Sequence, residues 1–338
     1  MNEVSIFRRI NKFSHFLFLS MLIIPIFING QTFKTLEDIR IRDPFIVADE
    51  ESKTYFMYAQ TGTRLGEKDT INGVETYKSK DLKNWEGPYN VFTPEKNHWG
   101  KRMVWAPEVH QYKDKFYLFA TFTGKDREDL KHHPPKQHQR GTQILVSNDP
   151  DGPFKSMVNK PTTPEDWMSL DGTLWVENSI PYMVFCHEWA QIIDGTMELV
   201  QLENDLSGAV GKPKTLFKAS DANWVESLTE AEPEMNVHGY VTDGCYLYKT
   251  KTGNLIMIWS SFTKKGYAVG QVISESGSIK GPWKHLNKLL FEENGGHGMI
   301  FETFEGKLML SLHQPNSGDK ERAKLFQVVD NGNYLTIK

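Results

Sequence analysis

Five short segments of the chain begin an apolar run with a residue that can ionise. The residues are Asp43 in RDPFIV, Glu108 in APEVHQY, Asp171 in LDGTLWV, Asp243 in TDGCYLY and His297 in GHGMIFE, at steps of 65, 63, 72 and 54 residues. Any single acid could belong to a turn, but matched positions in a repeat favour a shared site. Two carboxyls, one protonated and one ionised, perform glycoside hydrolysis. The pattern therefore predicts carbohydrate chemistry.

A second apolar run follows each of these segments and ends in polar or aromatic residues. These runs are TYFMYAQ, KFYLFATF, PYMVFCHEW, NLIMIWSS and KLMLSLHQPN, and third runs such as TQILVSN, MELVQL and YAVGQVI follow them. Aromatic and β-branched runs separated by Gly, Asn and Asp are typical of antiparallel strands. Five such repeats of about four strands each predict an all-β protein, a five-bladed β-propeller, rather than a pair of β-sandwiches.

In a propeller, the first strand of each blade lines the central channel and the second strand returns antiparallel to it. The starts of the first strands and the ends of the second strands should therefore meet on one face. Besides the five residues above, that face would collect Trp105, His187, Glu188, Trp189, Trp259 and His313. The tryptophans could stack on sugar rings, although tryptophans of propellers also pack between blades.

The first 30 residues have the features of a secretory signal peptide. Arg8 and Arg9 precede an apolar run from Phe16 to Ile28, which is the order of an export signal. Pro25 and the shortness of the run disfavour a permanent membrane span. We expect a periplasmic or secreted protein that does not associate with the membrane after cleavage, with one domain at residues 31–338.

Composition excludes some partners. The net charge is −4 and the two signs are mixed along the chain, whereas a nucleic-acid partner would require a basic face. Cys186 and Cys245 are the only cysteines. They could form one disulfide in an oxidising compartment or serve as small buried apolar residues. We predict no metal site built on them.

Several motifs resemble glycoside hydrolase family 43 over essentially the whole chain after the signal. RDPFIV, SLDGTLWVE and GGHGMIF are similar to motifs of the first, third and fifth blades, and WAPEVH, SKDLKNW, GPF and GPW also resemble the family. The resemblance implies a five-bladed propeller that inverts configuration and requires no cofactor. It also implies that Asp43 is the general base, that Asp171 orients the acid and modulates its pKa, and that His297 lies near the axis, where a structural calcium ion could bind.

The chain departs from the family at the general acid. The family has a Glu at the start of the fourth blade, usually followed by Gly-Pro, whereas this chain has Asp243, with Cys245 at the usual proline position. An aspartate carboxyl would be withdrawn by about 1.5 Å, one C–C bond, and catalytic geometry tolerates little displacement. Glu188 is therefore an equal candidate for the proton donor, and Glu232 is a third.

These residues predict an inverting glycosidase that acts on an oligosaccharide or polysaccharide. The family's common activity makes an α-L-arabinofuranoside the first choice of substrate, and a β-xyloside or a galactoside would suit the same residues. A catalytically inactive sugar-binding propeller is an alternative, because a lost acid would look like the change at Asp243. A phosphorylase or transferase is less favoured, since apart from Arg42 the strand tips offer few basic residues for phosphate.

Overall fold

The computed structural model describes residues 33–62, 73–126 and 137–338. The predicted signal peptide at residues 1–30 lies outside this part of the chain. Phe33–Lys338 forms one compact unit. Within the described ranges, no helix has the length and apolar character needed to cross a membrane.

The described residues contain five antiparallel sheets, each made of four strands that follow one another in the chain. The strands are β1 (Phe45–Asp49), β2 (Thr54–Gln60), β3 (Val74–Ser79) and β4 (Trp85–Phe92) in blade 1; β5 (Arg102–Tyr112), β6 (Lys115–Asp126), β7 (His138–Ser147) and β8 (Lys155–Ser156) in blade 2; β9 (Ser169–Glu177), β10 (Ile180–His187), β11 (Thr196–Leu202) and β12 (Ala209–Lys218) in blade 3; β13 (Asp243–Lys249), β14 (Leu255–Thr263), β15 (Gly266–Ser274) and β16 (Trp283–His285) in blade 4; and β17 (Gly296–Glu302), β18 (Leu308–Gln314), β19 (Arg322–Asp330) and β20 (Leu335–Ile337) in blade 5.

The helices of the described chain are short and lie in the connections. They are α1 (Trp189–Ile192), α2 (Leu228–Ala231) and the 3-10 helices Leu36–Asp38, Ala219–Asp221, Pro233–Met235 and Gly318–Lys320. α1 follows directly on the end of β10, so it places Trp189 beside the tips of the inner strands.

The first strands of the five sheets close into a ring. β1 contacts β5, β5 contacts β9, β9 contacts β13, β13 contacts β17, and β17 contacts β1. The all-β, five-bladed β-propeller is thereby confirmed, and the alternative of two β-sandwiches is wrong. The predicted second runs are the second strands, so their ends lie beside the starts of the inner strands, as expected.

A residue with a left-handed backbone stands at or just before the start of four inner strands and inside β5. The residues are Asp43, Ala106, Asp171, Gly244 and His297, with φ of 52°, 44°, 56°, 49° and 51°. The strand pairing shifts register beside this position in blades 2 to 5. Bulges of this kind re-aim side chains and concentrate next to active sites. A strained backbone costs of the order of 1–3 kcal/mol per residue and is typical of functional positions.

This backbone position corrects the repeat that the sequence indicated. Asp43, Asp171 and His297 occupy the left-handed position, but Asp243 lies one residue before it and Glu108 lies two residues after Ala106. Gly244 holds the position in blade 4 because a Cβ there would lie 2.8 Å from His297 Cα. The side chain of Glu108 is consequently buried deeper along β5, where its Oε2 lies 2.9 Å from His110 Nε2.

Trp259 belongs to the core and not to the site. Its side chain is 0% exposed and packs against Phe217, Trp224 and His285. The next residue, Ser260, pairs with Asp243 across the sheet. Successive residues of a strand point to opposite faces, so the side chain of Trp259 points away from the face of Ser260. The prediction that Trp259 forms a wall of the site is therefore wrong.

Candidate active site

A cavity of about 400 Å³ lies over the tips of the inner strands. The residues that precede the left-handed positions in blades 1 to 4 all line it: Arg42, Trp105, Leu170 and Asp243. Asp43 and Asp171 also line it, together with Glu188 and Trp189 from blade 3 and Glu321 from blade 5. The cavity is therefore walled by carboxylates, two arginines and two tryptophans, a composition suited to a polar ligand with apolar faces.

The imidazole of His297 lies at the centre of three carboxyl groups. Its Nδ1 is 3.3 Å from Asp43 Oδ1, 3.7 Å from Asp171 Oδ2 and 3.9 Å from Asp243 Oδ1. The backbone N–H of His297 donates a hydrogen bond to Ser260 Oγ at 2.8 Å, which fixes its position. The predicted convergence of Asp43, Asp171, Asp243 and His297 is observed.

Asp43 is held in its ionised form. Burial opposes ionisation, but the charges of His297 and Arg42 and the contact with His313 outweigh it and hold the pKa of Asp43 well below the ordinary aspartate value. Arg42 is itself fixed by hydrogen bonds of 2.6 Å to Glu321 Oε1 and 2.8 Å to Asn316 Oδ1. An ionised, buried carboxylate in a cavity can act as a general base.

Asp171 is held in its protonated form by the opposite balance. Burial and the neighbouring charge of Asp243 raise the pKa of Asp171 well above the ordinary value, although a hydrogen bond of 3.0 Å from the N–H of Gly244 opposes this. Like charges in contact cannot both remain ionised, so this pair retains a proton. The side chain of Asp171 is 4% exposed and that of Asp243 is 22% exposed. Asp243 is therefore the member of the pair that is more accessible to a ligand.

The geometry disfavours the other two candidate acids. Both carboxylate oxygens of Glu188 accept hydrogen bonds from Arg140 Nη1, at 2.7 and 2.6 Å. Both oxygens are thereby engaged by a cation, so neither is free to face a leaving group. Glu232 ends α2 and does not line the cavity. Of the three, Asp243 remains.

Two tryptophans line the cavity as predicted. Trp105 lies between two shifts of register in β5, and the guanidinium of Arg140 lies over its ring at 4.3 Å. Trp189 lines the cavity at the start of α1. These rings provide the apolar faces on which a sugar could stack.

Two predicted histidines support the site from behind. His313 is 0% exposed, and its Nδ1 lies 3.2 Å from Asp43 Oδ1. His187 is stacked on Trp167 with ring centroids 4.1 Å apart, and its Nε2 lies 2.8 Å from Gln191 Oε1. Neither lines the cavity, so the prediction that they bind substrate directly is not supported by their positions.

Three other residues at the site were not predicted from the sequence. Arg140 pairs with Glu188 across two blades. Glu321 anchors Arg42. Tyr267 donates a hydrogen bond to Asp243. An arginine near an acidic candidate is a signal that could have been weighed, but Tyr267 lies on the third strand of its blade, where side chains of the site were not expected.

A metal ligand set is present in outline. One ligand atom each from Asp171, Asp243 and His297 lies within 4.8 Å of the others. Ca²⁺ prefers six to eight oxygen ligands, whereas this group offers two carboxyls and an imidazole nitrogen. The residues therefore fit a calcium ion poorly, and the suggested ion near His297 stays a prediction. Cys186 and Cys245 are both free and buried.

Comparisons with known proteins identify the family and the fold of the chain. The sequence model described as "Glycosyl hydrolases family 43" matches residues 37–329. No curated protein matched. Among solved structures, an endo-arabinase from Bacteroides thetaiotaomicron is 37% identical with a TM-score of 0.77, and the match covers 90% of this chain and 100% of that chain.

Two more distant structures share the fold. An endo-1,4-beta-xylanase from Bacteroides thetaiotaomicron is 23% identical, with a TM-score of 0.68 and coverage of 91% of this chain and 97% of that chain. An alpha-L-arabinofuranosidase from Lactobacillus brevis is 17% identical, with a TM-score of 0.68 and coverage of 91% and 94%.

Proposed function

The chain belongs to glycosyl hydrolases family 43 and is a glycoside hydrolase that acts on O-glycosyl bonds, and we propose that it hydrolyses α-L-arabinofuranosidic bonds in plant polysaccharide fragments with inversion. The likeness to the endo-arabinase favours arabinose among the sugars on which the family acts. A β-xyloside or a galactoside is the alternative substrate.

One observation carries the proposal. Asp43, Asp171 and Asp243 converge on the imidazole of His297, and their surroundings hold the pKa of Asp43 low and that of Asp171 high. Glycoside hydrolysis by inversion requires this division of labour between two carboxyls. Environments that move two carboxyl pKa values apart assign the acid and the base.

The residues define a direct displacement. Asp43 takes a proton from a water molecule, and that water attacks the anomeric carbon from the face opposite the leaving group. Asp243 gives a proton to the glycosidic oxygen as the C–O bond breaks. Asp171 keeps the pair protonated through its buried carboxyl, and the Gly244 N–H fixes its orientation. Trp105 and Trp189 would hold the sugar rings.

Export is part of the proposal and is supported by the basic and apolar order of the first 30 residues. Fractionation of a host that expresses the full chain tests it. The protein should be in the periplasm or medium and should begin close to residue 31. Full-length protein in the cytoplasm would contradict export without affecting the enzymatic proposal.

Hydrolysis of an aryl-glycoside panel tests the reaction. Wild type should release 4-nitrophenol from the α-L-arabinofuranoside much faster than from the β-xyloside or the galactosides. Asp43→Asn should lower kcat by about 10²–10⁴, the usual contribution of a general base. Glu232→Gln is the matched control and should retain activity, because Glu232 does not line the cavity. Proton NMR of the first product should show the inverted anomer.

The outcomes separate the alternatives. Release of xylose or galactose in preference would leave the mechanism standing and replace the substrate. Binding of arabino-oligosaccharides without turnover would identify a sugar-binding propeller. Products from debranched arabinan distinguish internal cleavage from cleavage at chain ends.

A further inference from the structure

A tyrosine from the outer part of blade 4 reaches the acid. Tyr267 is the second residue of β15, the third strand of the blade. Its ring is buried, and its hydroxyl donates a hydrogen bond of 2.6 Å to Asp243 Oδ2. Hydrogen bonds of this length between a hydroxyl and a carboxylate are among the strong ones in proteins.

The backbone around Tyr267 leaves space for its ring to reach Asp243. A Cβ at Gly296 would lie 2.4 Å from Tyr267 Cε1 and 2.6 Å from Cδ1, so only glycine lets the ring pass. Gly296 holds in blade 5 the position that Arg42, Trp105, Leu170 and Asp243 hold in the other blades. Blade 5 therefore contributes no side chain there, and Tyr267 occupies the space.

Other contacts fix the ring. Tyr267 stacks on His313 with an interplanar angle of 20° and ring centroids 5.7 Å apart. Phe262 also packs against the ring of Tyr267, with centroids 5.1 Å apart. The backbone N–H of Tyr267 donates to Asn294 Oδ1 at 3.3 Å. The hydroxyl is thus delivered to Asp243 by a ring that is held on several sides.

A purely structural role would not require the hydroxyl. Phenylalanine would fill the same space, and burial of a tyrosine hydroxyl is favourable only where it finds a partner. The partner here is the one carboxyl that must hold a defined geometry during proton transfer. Asp243 is also one methylene shorter than the glutamate of the family motif, so it has less freedom to adjust its position.

We propose that Tyr267 is the positioning residue of the general acid: its hydroxyl holds Asp243 Oδ2 and so fixes the orientation of the carboxyl. The inference rests on the proposed role of Asp243. The other oxygen of this carboxyl, Oδ1, lies 3.9 Å from His297 Nδ1. The hydrogen bond to Oδ2 restricts rotation of the carboxyl about its Cβ–Cγ bond, so the group is presented in one orientation. Tyr267 therefore orients the carboxyl without touching the substrate.

The dependence of kcat on the leaving group tests the proposal. Phenyl, 4-nitrophenyl and 2,4-dinitrophenyl α-L-arabinofuranosides need progressively less help from an acid. Tyr267→Phe should lower kcat on the phenyl substrate by roughly 10- to 100-fold, less than the whole contribution of a general acid. It should change kcat on the 2,4-dinitrophenyl substrate by no more than about twofold and leave KM nearly constant.

Two variants serve as references. Tyr246→Phe removes a hydroxyl from a half-buried tyrosine of the same blade, which lines a separate cavity that does not include Asp243. It should behave as wild type on every substrate. Asp243→Asn should show the same leaving-group dependence as Tyr267→Phe, but more steeply.

The outcomes test the role of Asp243 and the role of Tyr267 separately. A flat Asp243→Asn series would overturn the assignment of Asp243 as acid, and with it the proposed mechanism. A steep Asp243→Asn series with a Tyr267→Phe series parallel to wild type would overturn only the role of Tyr267. An equal loss on all substrates would show a structural role and would also overturn it. If Tyr267→Phe is insoluble, Gly296→Ala displaces the same ring and should give the same leaving-group signature.

Discussion

Arg140 Nη1 lies between the two carboxylate oxygens of Glu188, 2.7 Å from one and 2.6 Å from the other. The same guanidinium covers one face of Trp105 and donates from Nε to Thr123 Oγ1 at 3.1 Å. Both charged side chains are nearly buried. The pair therefore joins blades 2 and 3 at the edge of the cavity and supports a tryptophan that lines it.

Removal of one partner of this pair should destabilise the fold. Arg140→Met leaves the Glu188 carboxylate buried without its cation, which costs about 3–5 kcal/mol in such pairs. Glu188→Gln leaves the buried Arg140 guanidinium without its carboxylate and should destabilise the fold by a similar amount. Urea unfolding at neutral pH measures both values. Equal stability of Arg140→Met and wild type would contradict the pairing.

Glu188→Gln should keep the leaving-group dependence of wild type, because an ion-paired carboxylate does not supply the proton. A rise in KM is expected, since Glu188 lines the cavity. Selective loss of activity on substrates with poor leaving groups would instead assign Glu188 as the acid and would displace Asp243.

The pH dependence of activity should reflect the low pKa of Asp43 and the raised pKa of Asp171. The charges of His297 and Arg42 hold the pKa of Asp43 low, so activity should persist as the pH falls to about 4, the ordinary aspartate value. The raised pKa of Asp171 predicts a basic limb, where the pair loses its proton. That limb should be present in kcat/KM for the phenyl substrate and absent for the 2,4-dinitrophenyl substrate. A basic limb common to both would contradict the assignment.

Asp171→Asn should raise stability while it lowers activity. The folded pKa of Asp171 is above its unfolded value, so its contribution to stability is present below the unfolded pKa and is lost as the pH rises toward the folded one. An asparagine at this position does not titrate, so the variant avoids this loss of stability as the pH rises. The difference in Tm between Asp171→Asn and wild type should therefore grow in favour of the variant as the pH rises above about 4.

The matched control is Asp114→Asn, at an exposed position in the turn between β5 and β6. Its Tm should track wild type at every pH. A constant difference between Asp171→Asn and wild type across the pH range would show that Asp171 has no unusual titration.

Sequence reasoning succeeded where the signal is local. Apolar runs with glycine and asparagine between them predicted the strands, and the repeat of five predicted the propeller. Asp43, Asp171 and His297 could be found because the left-handed backbone at each tip is built from short local motifs. That backbone is not visible in composition, however, since Ala106 and Gly244 hold it in two blades. The sequence repeat therefore took Glu108 as the equivalent position in blade 2, two residues after Ala106, and Glu108 was assigned to the site.

The remaining errors arose from contacts between distant parts of the chain. Whether an acid is free or ion-paired depends on its spatial neighbour, and the neighbour of Glu188 is 48 positions away. The face of the sheet to which a tryptophan side chain points depends on the strand register. A bulge shifts the register by one residue and so moves the side chain to the other face. Trp105 and Trp259 have similar sequence surroundings at strand tips, but Trp105 lines the cavity and Trp259 is buried in the core.

The two tryptophans should consequently respond to substitution in opposite ways. Trp259→Ala empties a site that is 0% exposed in the described structure and should lower the free energy of unfolding by about 3–5 kcal/mol. Its activity per folded molecule should stay near that of wild type. Trp105→Ala removes a wall of the cavity and should raise KM for arabino-oligosaccharides by up to roughly 10-fold, in line with about 0.5–1.5 kcal/mol for a stacked ring. Urea unfolding and steady-state kinetics on the same preparations give both quantities. A Trp259→Ala enzyme with normal stability and a raised KM would place that ring back in the cavity, and the core packing of blades 3 and 4 described here would then be wrong.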